Sequence, residues 1–443
     1  MSASRKKRRL PDPVTATIES LSHEGRGVVH VDGKAVFVDN ALPGEEVRFR
    51  YLRRRSKRDE AEAVDILRAS PQRVEPFCEY FHLCGGCSLQ HLAPAAQIAH
   101  KQDVLLEQLR HIGRVDPEQV LEPLTGPVRG YRRKARLGAR YVFRKERVLA
   151  GFRERHSSFI ADIDHCGVLH PAVGELLPAL KSLLGGLSIH DRIPQIEAAV
   201  GEDGAVLVLR HLAPPTETDQ QALRQFAAEH DIRVWLQPGG PDTAAPLEGD
   251  GGRELTYRFE EEGISIGFHP LDFTQVNFDM NRAMLARIRE LLQPGDSDNI
   301  LELFCGLGNF TLPLACSVAR ITGVEGDAAL VERARGNAAR NGIANADFIH
   351  ADLHGENLPP SLGAGDHDRV LLDPPRTGAR ELLQQLPLQN VQRLVYVSCN
   401  PATLARDAGI LVHERGLRLA AAGVMDMFPH TSHVESIALF ERR

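Results

Sequence analysis

No apolar run in the 443 residues is long enough to cross a bilayer, which excludes a helical membrane anchor. The basic stretch over residues 1–10 has no apolar segment behind it, so a secretory signal is not expected either, and the reading is a cytoplasmic protein. Cysteine is scarce and odd in number: the seven are Cys78, Cys84, Cys87, Cys166, Cys305, Cys316 and Cys399. Without export, disulfides are not expected, and any thiol cluster has to be explained by metal binding or catalysis.

The net charge of −6 hides a strong asymmetry. Residues 1–58 hold 14 Lys and Arg against 7 Asp and Glu, and residues 131–155 hold 10 against 2. In the second window the cations are interleaved with Tyr131, Tyr141, Phe143 and Phe152. Cations that track phosphates beside rings that stack on bases point to a nucleic-acid partner. The chain is too long for a single ordinary core, and about two to four domains are expected.

Residues 14–67 read as five short strands, with Asp32-Gly33 as a hairpin signal, and suggest an oligonucleotide-binding type of barrel over residues 10–69. Residues 70–262 form a central domain of mixed signals, expected to bind RNA, and broken by a loop or linker at 237–252. From 263 to 443 strands and helices alternate, ending in two strands without a helix between them. This pattern predicts an α/β fold, a doubly wound Rossmann-like sheet closed by an antiparallel hairpin.

Within that last region, Phe304-Cys305-Gly306-Leu307-Gly308-Asn309 follows the first strand, Glu325 ends the second and Asp352 the third. A glycine turn after a strand, with an acid about 20 residues on, specifies a nucleoside cofactor. The fourth strand ends in Asp373-Pro374-Pro375-Arg376, at the edge where such sheets bind substrate, and the fifth ends at Ser398-Cys399-Asn400-Pro401. Asn400 suits a helix cap and Pro401 the first helical position, so the Cys399 thiol is expected at a helix N-terminus with a lowered pKa. The spacing Glu302-x-x-x-Gly-x-Gly-Asn resembles the class I S-adenosylmethionine methyltransferases more than dinucleotide enzymes. A cysteine beside the methyl donor this implies makes sense if the acceptor is a poorly nucleophilic carbon such as C5 of uracil. Thiolate addition at C6 makes C5 electron-rich, C5 takes the methyl group, and a base then removes its proton. Glu435, at the start of the last strand, is the candidate base.

Far upstream, Cys78-x5-Cys84-x2-Cys87 with Cys166 forms a second constellation. Four thiolates can hold zinc or a [4Fe–4S] cluster, and spacing alone does not separate them.

The set Phe273-Thr274-Gln275-Val276-Asn277, Leu303 to Asn309, Asp373-Pro374-Pro375-Arg376, Ser398 to Pro401 and His433-Val434-Glu435 resembles the RNA uracil-C5 methyltransferase family, over about 170 C-terminal residues. The resemblance implies S-adenosylmethionine as cofactor, with cofactor or pocket contacts at Gln275, Phe304, Asn309, Glu325, Asp352 and Asp373. It also implies Cys399 as nucleophile, Glu435 as base, and iron rather than zinc on Cys78, Cys84, Cys87 and Cys166. Residues 18–31 and the turn Gly44-Glu45-Glu46-Val47 resemble the TRAM RNA-binding domain. Barrel plus cysteines is similar to the bacterial branch acting on 23S ribosomal RNA at uridine 1939, the transfer-RNA branch being expected to lack both. No protein partner is implied.

Overall fold

The structure is a computed structural model, and it describes residues 10–249, 254–355 and 366–442. The basic residues before position 10 lie outside the described residues. Contacts divide the chain into two compact units. The first holds residues up to 82, then 86–101 and 428–433, and the second holds 83–85, 102–427 and 434–443.

In the first unit, β1 (Val14–Thr17), β2 (Ser20–Leu21), β3 (Gly27–Val31), β4 (Lys34–Asp39), β5 (Glu46–Arg54) and β6 (Asp59–Arg68) form one sheet in the order β1-β5-β6-β4-β3-β2. Six strands stand where five were expected. The extra one, β2, is two residues long and carries too little alternation to be read from sequence. Asp32 and Gly33 both take left-handed backbone at φ 51° and 76°, the geometry of a tight hairpin turn between β3 and β4. Ile18, Val29, Val36, Val38, Val47 and Phe49 face inward and make the core.

Glu45, read in sequence only as part of a turn, is fully buried. Burial pushes its carboxyl up, but Arg73, at 2.6 and 2.8 Å, and the backbone N–H groups of Ser70 and Leu42 hold it below the usual range. A buried carboxylate with every lone pair occupied fixes the turn in one arrangement.

Helix α1 spans Pro94–Gln108. In the second unit β7 (Gln119–Val120) is followed by β8 (Lys134–Val142), β9 (Arg147–Gly151), α2 (Pro171–Gly174), α3 (Leu177–Gly186), β10 (Gln195–Val200), β11 (Ala205–Arg210), α4 (Glu217–Glu229), β12 (Ile232–Gln237) and β13 (Ala245–Pro246). The strands from β8 to β13 make a six-stranded sheet, β13-β12-β11-β10-β8-β9. The segment expected as a linker therefore contributes an edge strand, since Ala245 and Pro246 pair with Leu236 and Trp235. Proline is tolerated there because an edge strand need not donate on its outer side.

A hairpin, β14 (Leu255–Phe259) with β15 (Ile264–Phe268), precedes α5 (Phe278–Leu292). Then come β16 (Asn299–Leu303), α6 (Thr311–Ala315), β17 (Arg320–Glu325), α7 (Ala328–Arg340), β18 (Ala346–His350), β19 (Arg369–Leu372), α8 (Arg380–Gln385), β20 (Arg393–Ser398), α9 (Pro401–His413), β21 (Leu417–Met425) and β22 (Glu435–Arg442). Their sheet runs β18-β17-β16-β19-β20-β22-β21-β7. The five strands from β18 to β20 are mutually parallel, and β21 and β22 make the expected antiparallel hairpin; that β22 enters between β20 and β21 is not predicted by the sequence. The order reverses between β16 and β19, which opens a crevice at the carboxyl ends of those strands.

Candidate active site

The cofactor turn, its pocket and Cys399 lie in the second unit, around the carboxyl ends of β16, β17, β19 and β20. After β16 the chain turns sharply: Phe304, Gly306 and Gly308 have φ of 66°, 55° and 82°. Such backbone is natural for glycine and costs free energy at Phe304, which is held by its N–H donating to Val324 O at 2.8 Å. A Cβ on Gly308 would meet Leu312 and Phe348 at 3.2 and 3.3 Å, whereas nothing lies within 4 Å of one on Gly306, so that side of the turn is open to a ligand.

The two oxygens of Glu325 accept from the N–H groups of Gly306 and Asp327, both at 3.0 Å. Each oxygen keeps a second lone pair, so the carboxylate that shapes the turn can still accept from a hydroxyl. Asp352 Oδ1 accepts from the His354 N–H at 2.9 Å, and the His354 ring lies 5.7 Å from that of Phe304. The third-strand acid is thus joined to the glycine turn through one histidine.

A pocket beside the turn is lined by Gln275, Phe304, Asn309 and Asp373, four of the six predicted contacts, together with Tyr257 and Glu302. Phe273, also in its wall, is 71% exposed. The Gln275 amide donates to Asp373 Oδ2 at 3.3 Å. Asp373 is partly accessible yet enclosed by protein atoms, and desolvation pushes it up to about 7.

Asn309 is largely committed within the protein. Its Oδ1 accepts from the Tyr257 hydroxyl at 2.7 Å and from Asn281 at 2.9 Å, and its Nδ2 donates back to Asn281 at 2.9 Å. Neither Tyr257 nor Asn281 was singled out from sequence, because each meets Asn309 only through long-range packing. Glu302 heads the motif read from sequence, which assigns it no role. It is buried, hydrogen-bonded to the Thr311 hydroxyl at 2.5 Å, and pushed up to about 8 by burial, so it is mostly a neutral acid at pH 7.

Cys399 lies between the end of β20 and the start of α9. The Asn400 side chain caps α9 through the Ala402 N–H at 3.1 Å, and Pro401 takes the first helical position, both as predicted. The thiol pKa, however, goes the other way from expectation. Burial raises it first, Glu435 and Asp373 raise it further, Arg376 lowers it, and the thiol settles at about 11. Desolvation and two carboxylates outweigh the helix terminus.

The loop between β19 and α8 is tied to α9. Asp407, fully buried in an otherwise apolar stripe of α9, accepts from the Ala379 N–H and the Tyr396 hydroxyl, both at 2.7 Å. Arg406 pairs with it at 2.7 Å and donates to Thr377 O at 2.9 Å, and the Asn400 amide donates to Arg376 O at 3.0 Å. These bonds hold the segment bearing Asp373 and Arg376 against the helix that follows the thiol.

The four upstream cysteines are part-buried. Cys78 and Cys87 belong to the first unit, Cys84 and Cys166 to the second. Their donor chemistry suits a thiolate-bound cluster, and Gly85 lies so close to Arg153 O that a Cβ there would approach it to 3.0 Å. Among the described residues no group of three or more His, Cys, Asp or Glu side chains is gathered to hold a metal ion.

Strand order and the nucleoside-type turn define a class I methyltransferase domain. Residues 250–443 match the family tRNA (Uracil-5-)-methyltransferase, and residues 14–72 match the TRAM domain of tRNA (uracil(54)-C(5))-methyltransferase. Over 446 residues the chain is 54% identical to a 23S rRNA (uracil(1939)-C(5))-methyltransferase of Hahella chejuensis, covering 99% of this chain and 100% of that protein. A protein of the same name from Alkalilimnicola ehrlichii is 53% identical over 99% of both. Among solved structures, the Pyrococcus abyssi tRNA (uracil-54, C5)-methyltransferase in complex with S-adenosyl-L-homocysteine shares the fold, with a TM-score of 0.72, 24% identity, and coverage of 96% of this chain and 100% of that one. The chain belongs to the RNA uracil-C5 methyltransferase family, with an N-terminal TRAM domain. One step of the sequence argument is corrected here. A TRAM domain is named for a transfer-RNA enzyme, so the barrel by itself does not separate the ribosomal branch from the transfer-RNA branch.

Proposed function

We propose that this protein transfers the methyl group of S-adenosylmethionine to C5 of a uridine in 23S ribosomal RNA, the uridine at position 1939. The observation that carries the reading is full-length identity above 50% to enzymes named for that nucleotide, in a chain that keeps Glu435 and Asp373 within electrostatic reach of Cys399. S-adenosylmethionine, when bound, supplies an electrophilic methyl group. Gln275, Phe304, Asn309, Glu325, Asp352 and Asp373 are the residues assigned to hold it or to line the pocket for the base.

The sulfur of Cys399 bonds to C6 of the uracil as its proton passes to the facing Asp373 carboxylate, and the C5–C6 electron pair moves to C5 and the oxygen on C4. C5 then takes the methyl group. Glu435 accepts the C5 proton, the C6–S bond breaks and the thiolate leaves to recover a proton. At a thiol pKa of about 11 only about one molecule in 10⁴ is thiolate at pH 7, so the free enzyme rests as the unreactive thiol. The carboxylates that suppress the thiolate stand ready to take protons as the base arrives.

The functional division is read as residues 10–69, 70–262 and 263–443, in a cytoplasmic protein. We also assign Cys78, Cys84, Cys87 and Cys166 to a [4Fe–4S] cluster of structural role, supported by the part-burial of all four side chains. A transfer-RNA uridine is the second reading, favoured by the names of the matching family and TRAM domain. Mapping 5-methyluridine in ribosomal and transfer RNA from cells lacking the protein tests both. Loss at 1939 alone supports the first reading, and loss in transfer RNA alone replaces it with the second.

A further inference from the structure

A groove of about 1040 Å³ runs along the β8–β9 hairpin and the segment after it, well removed in sequence from the residues of the methyl-transfer pocket. We propose that it receives unstacked nucleotides of the RNA strand flanking the target uridine, their bases lying on Phe143, Tyr141 and Phe159 and their phosphates on Arg136, Arg140, Lys145 and Arg153. The proposal rests on the reading of this protein as an RNA methyltransferase and identifies where the rest of that RNA is gripped.

Three observations carry it. The first is aromatic exposure: Phe143 and Phe159, both in the groove wall, are 71% and 64% exposed. A single exposed phenylalanine is ordinary, but two lining one groove mark a contact surface. The Tyr141 ring meets Phe143 edge-on at 5.1 Å, which braces the exposed Phe143 ring and leaves its face open to a base.

The second observation is charge. On β8, Ala135, Leu137 and Ala139 point inward, so Arg136 and Arg140 share the outer face with Gly138 between them. Four cations line the groove against two acids, and both acids are already engaged. Glu154 accepts from the Ser157 hydroxyl at 2.6 Å, and Asp162 pairs with Arg147 and Lys181. Arg140 and Lys145 make no ion pair among the described residues. Arg136 pairs with Glu197 at 2.8 Å, so Arg140 and Lys145 are the uncommitted cations, and with the interleaved rings they match a polyanion that carries flat bases.

The third observation is continuity. The Arg133 N–H donates to Val276 O at 2.8 Å, one residue beyond Gln275 in the pocket wall, and β8 begins at the next residue. At the rise of a strand, Arg136 stands roughly 10 Å along from that anchor. A strand of RNA delivering one flipped base to the pocket has its neighbours within reach of the groove.

The test uses the full-length protein and a 23S ribosomal RNA fragment containing the target uridine, with 4-thiouridine placed at flanking positions. The Phe143→Ala/Phe159→Ala double variant should bind this RNA at least about tenfold more weakly, since each stacked base lost costs roughly 5-fold or more. The loss should fall on KM rather than kcat, and Arg140→Glu should flatten the salt dependence of binding. Irradiation of the wild-type complex should cross-link RNA to residues 136–160. Unchanged affinity in the double variant, with no cross-link in that segment, overturns the proposal and leaves the groove to a protein partner. Wild-type protein that binds the fragment but forms no 5-methyluridine would instead defeat the methylation reading, while affinity and cross-links still decide the groove.

Discussion

Cys399 and Glu435 are 36 positions apart in the chain and neighbours across two antiparallel strands. Ser398 stands opposite Ser436 in the β20–β22 ladder, and the Ser436 hydroxyl donates to Ser398 O at 3.1 Å, so the next pair outward is 399 and 435. The insertion of β22 between β20 and β21 therefore sets the thiol proposed to attack C6 beside the carboxylate proposed to take the proton from C5 of the same ring.

Replacing Cys399 by Ala should abolish 5-methyluridine formation while RNA affinity stays within about twofold, because binding is carried by many phosphate and stacking contacts. A filter-binding titration run beside a methylation assay checks this. Residual turnover above one part in a thousand would contradict a covalent role.

The raised thiol pKa makes a signed prediction. A thiol held at about 11 gains thiolate tenfold per pH unit, so alkylation of Cys399 by iodoacetamide should climb steeply from pH 7 to 10. Glu435→Gln removes one of the raising carboxylates and should speed alkylation at pH 8 while stopping turnover. Peptide mass spectrometry separates this thiol from the exposed Cys316.

Glu302 predicts the pH dependence of stability. Its folded pKa of about 8 lies above the ordinary value of 4.5, so the neutral acid favours folding fully below 4.5, and that stability is lost progressively as pH rises to 8. Glu302→Gln keeps a partner for Thr311 without the ionisation. Melting curves should show the variant more stable than wild type at pH 8, by on the order of 2 kcal/mol, and the difference shrinking toward pH 5.

Asp407→Ala leaves Arg406 without its partner and the Tyr396 hydroxyl buried and unpaired. A loss of about 3 kcal/mol in chemical denaturation is expected. Because the loop carrying Asp373 and Arg376 loses one of its three ties to α9, kcat should fall more than affinity for S-adenosylmethionine.

Much of this was legible in the chain because the signals are local. Asp32-Gly33 forces a tight turn, Asn400-Pro401 starts a helix, and Gly306 and Gly308 allow a turn that other residues resist. What was not legible depends on residues brought together from afar. The direction of the thiol pKa rests on Glu435 and Asp373, and the commitment of Asn309 on Tyr257 and Asn281. In the central region, β8 pairs with β10 more than fifty residues later, and no periodicity within either strand announces that register.

The assignment of the upstream cysteines is open to a direct assay. Protein purified without oxygen should be brown and contain about four irons per chain, and Cys87→Ala should lose both colour and iron. Colourless protein with one zinc would replace the cluster with a zinc site.

The central claim is a transient bond between Cys399 and C6 of uracil. Incubating the enzyme and S-adenosylmethionine with RNA carrying 5-fluorouridine at the target position blocks the final proton removal, since fluorine cannot leave as a cation. The account predicts a denaturant-stable protein–RNA conjugate whose peptide contains Cys399 joined to a methylated fluorouracil. Active enzyme that gives no conjugate, or one joined through another residue, would contradict it.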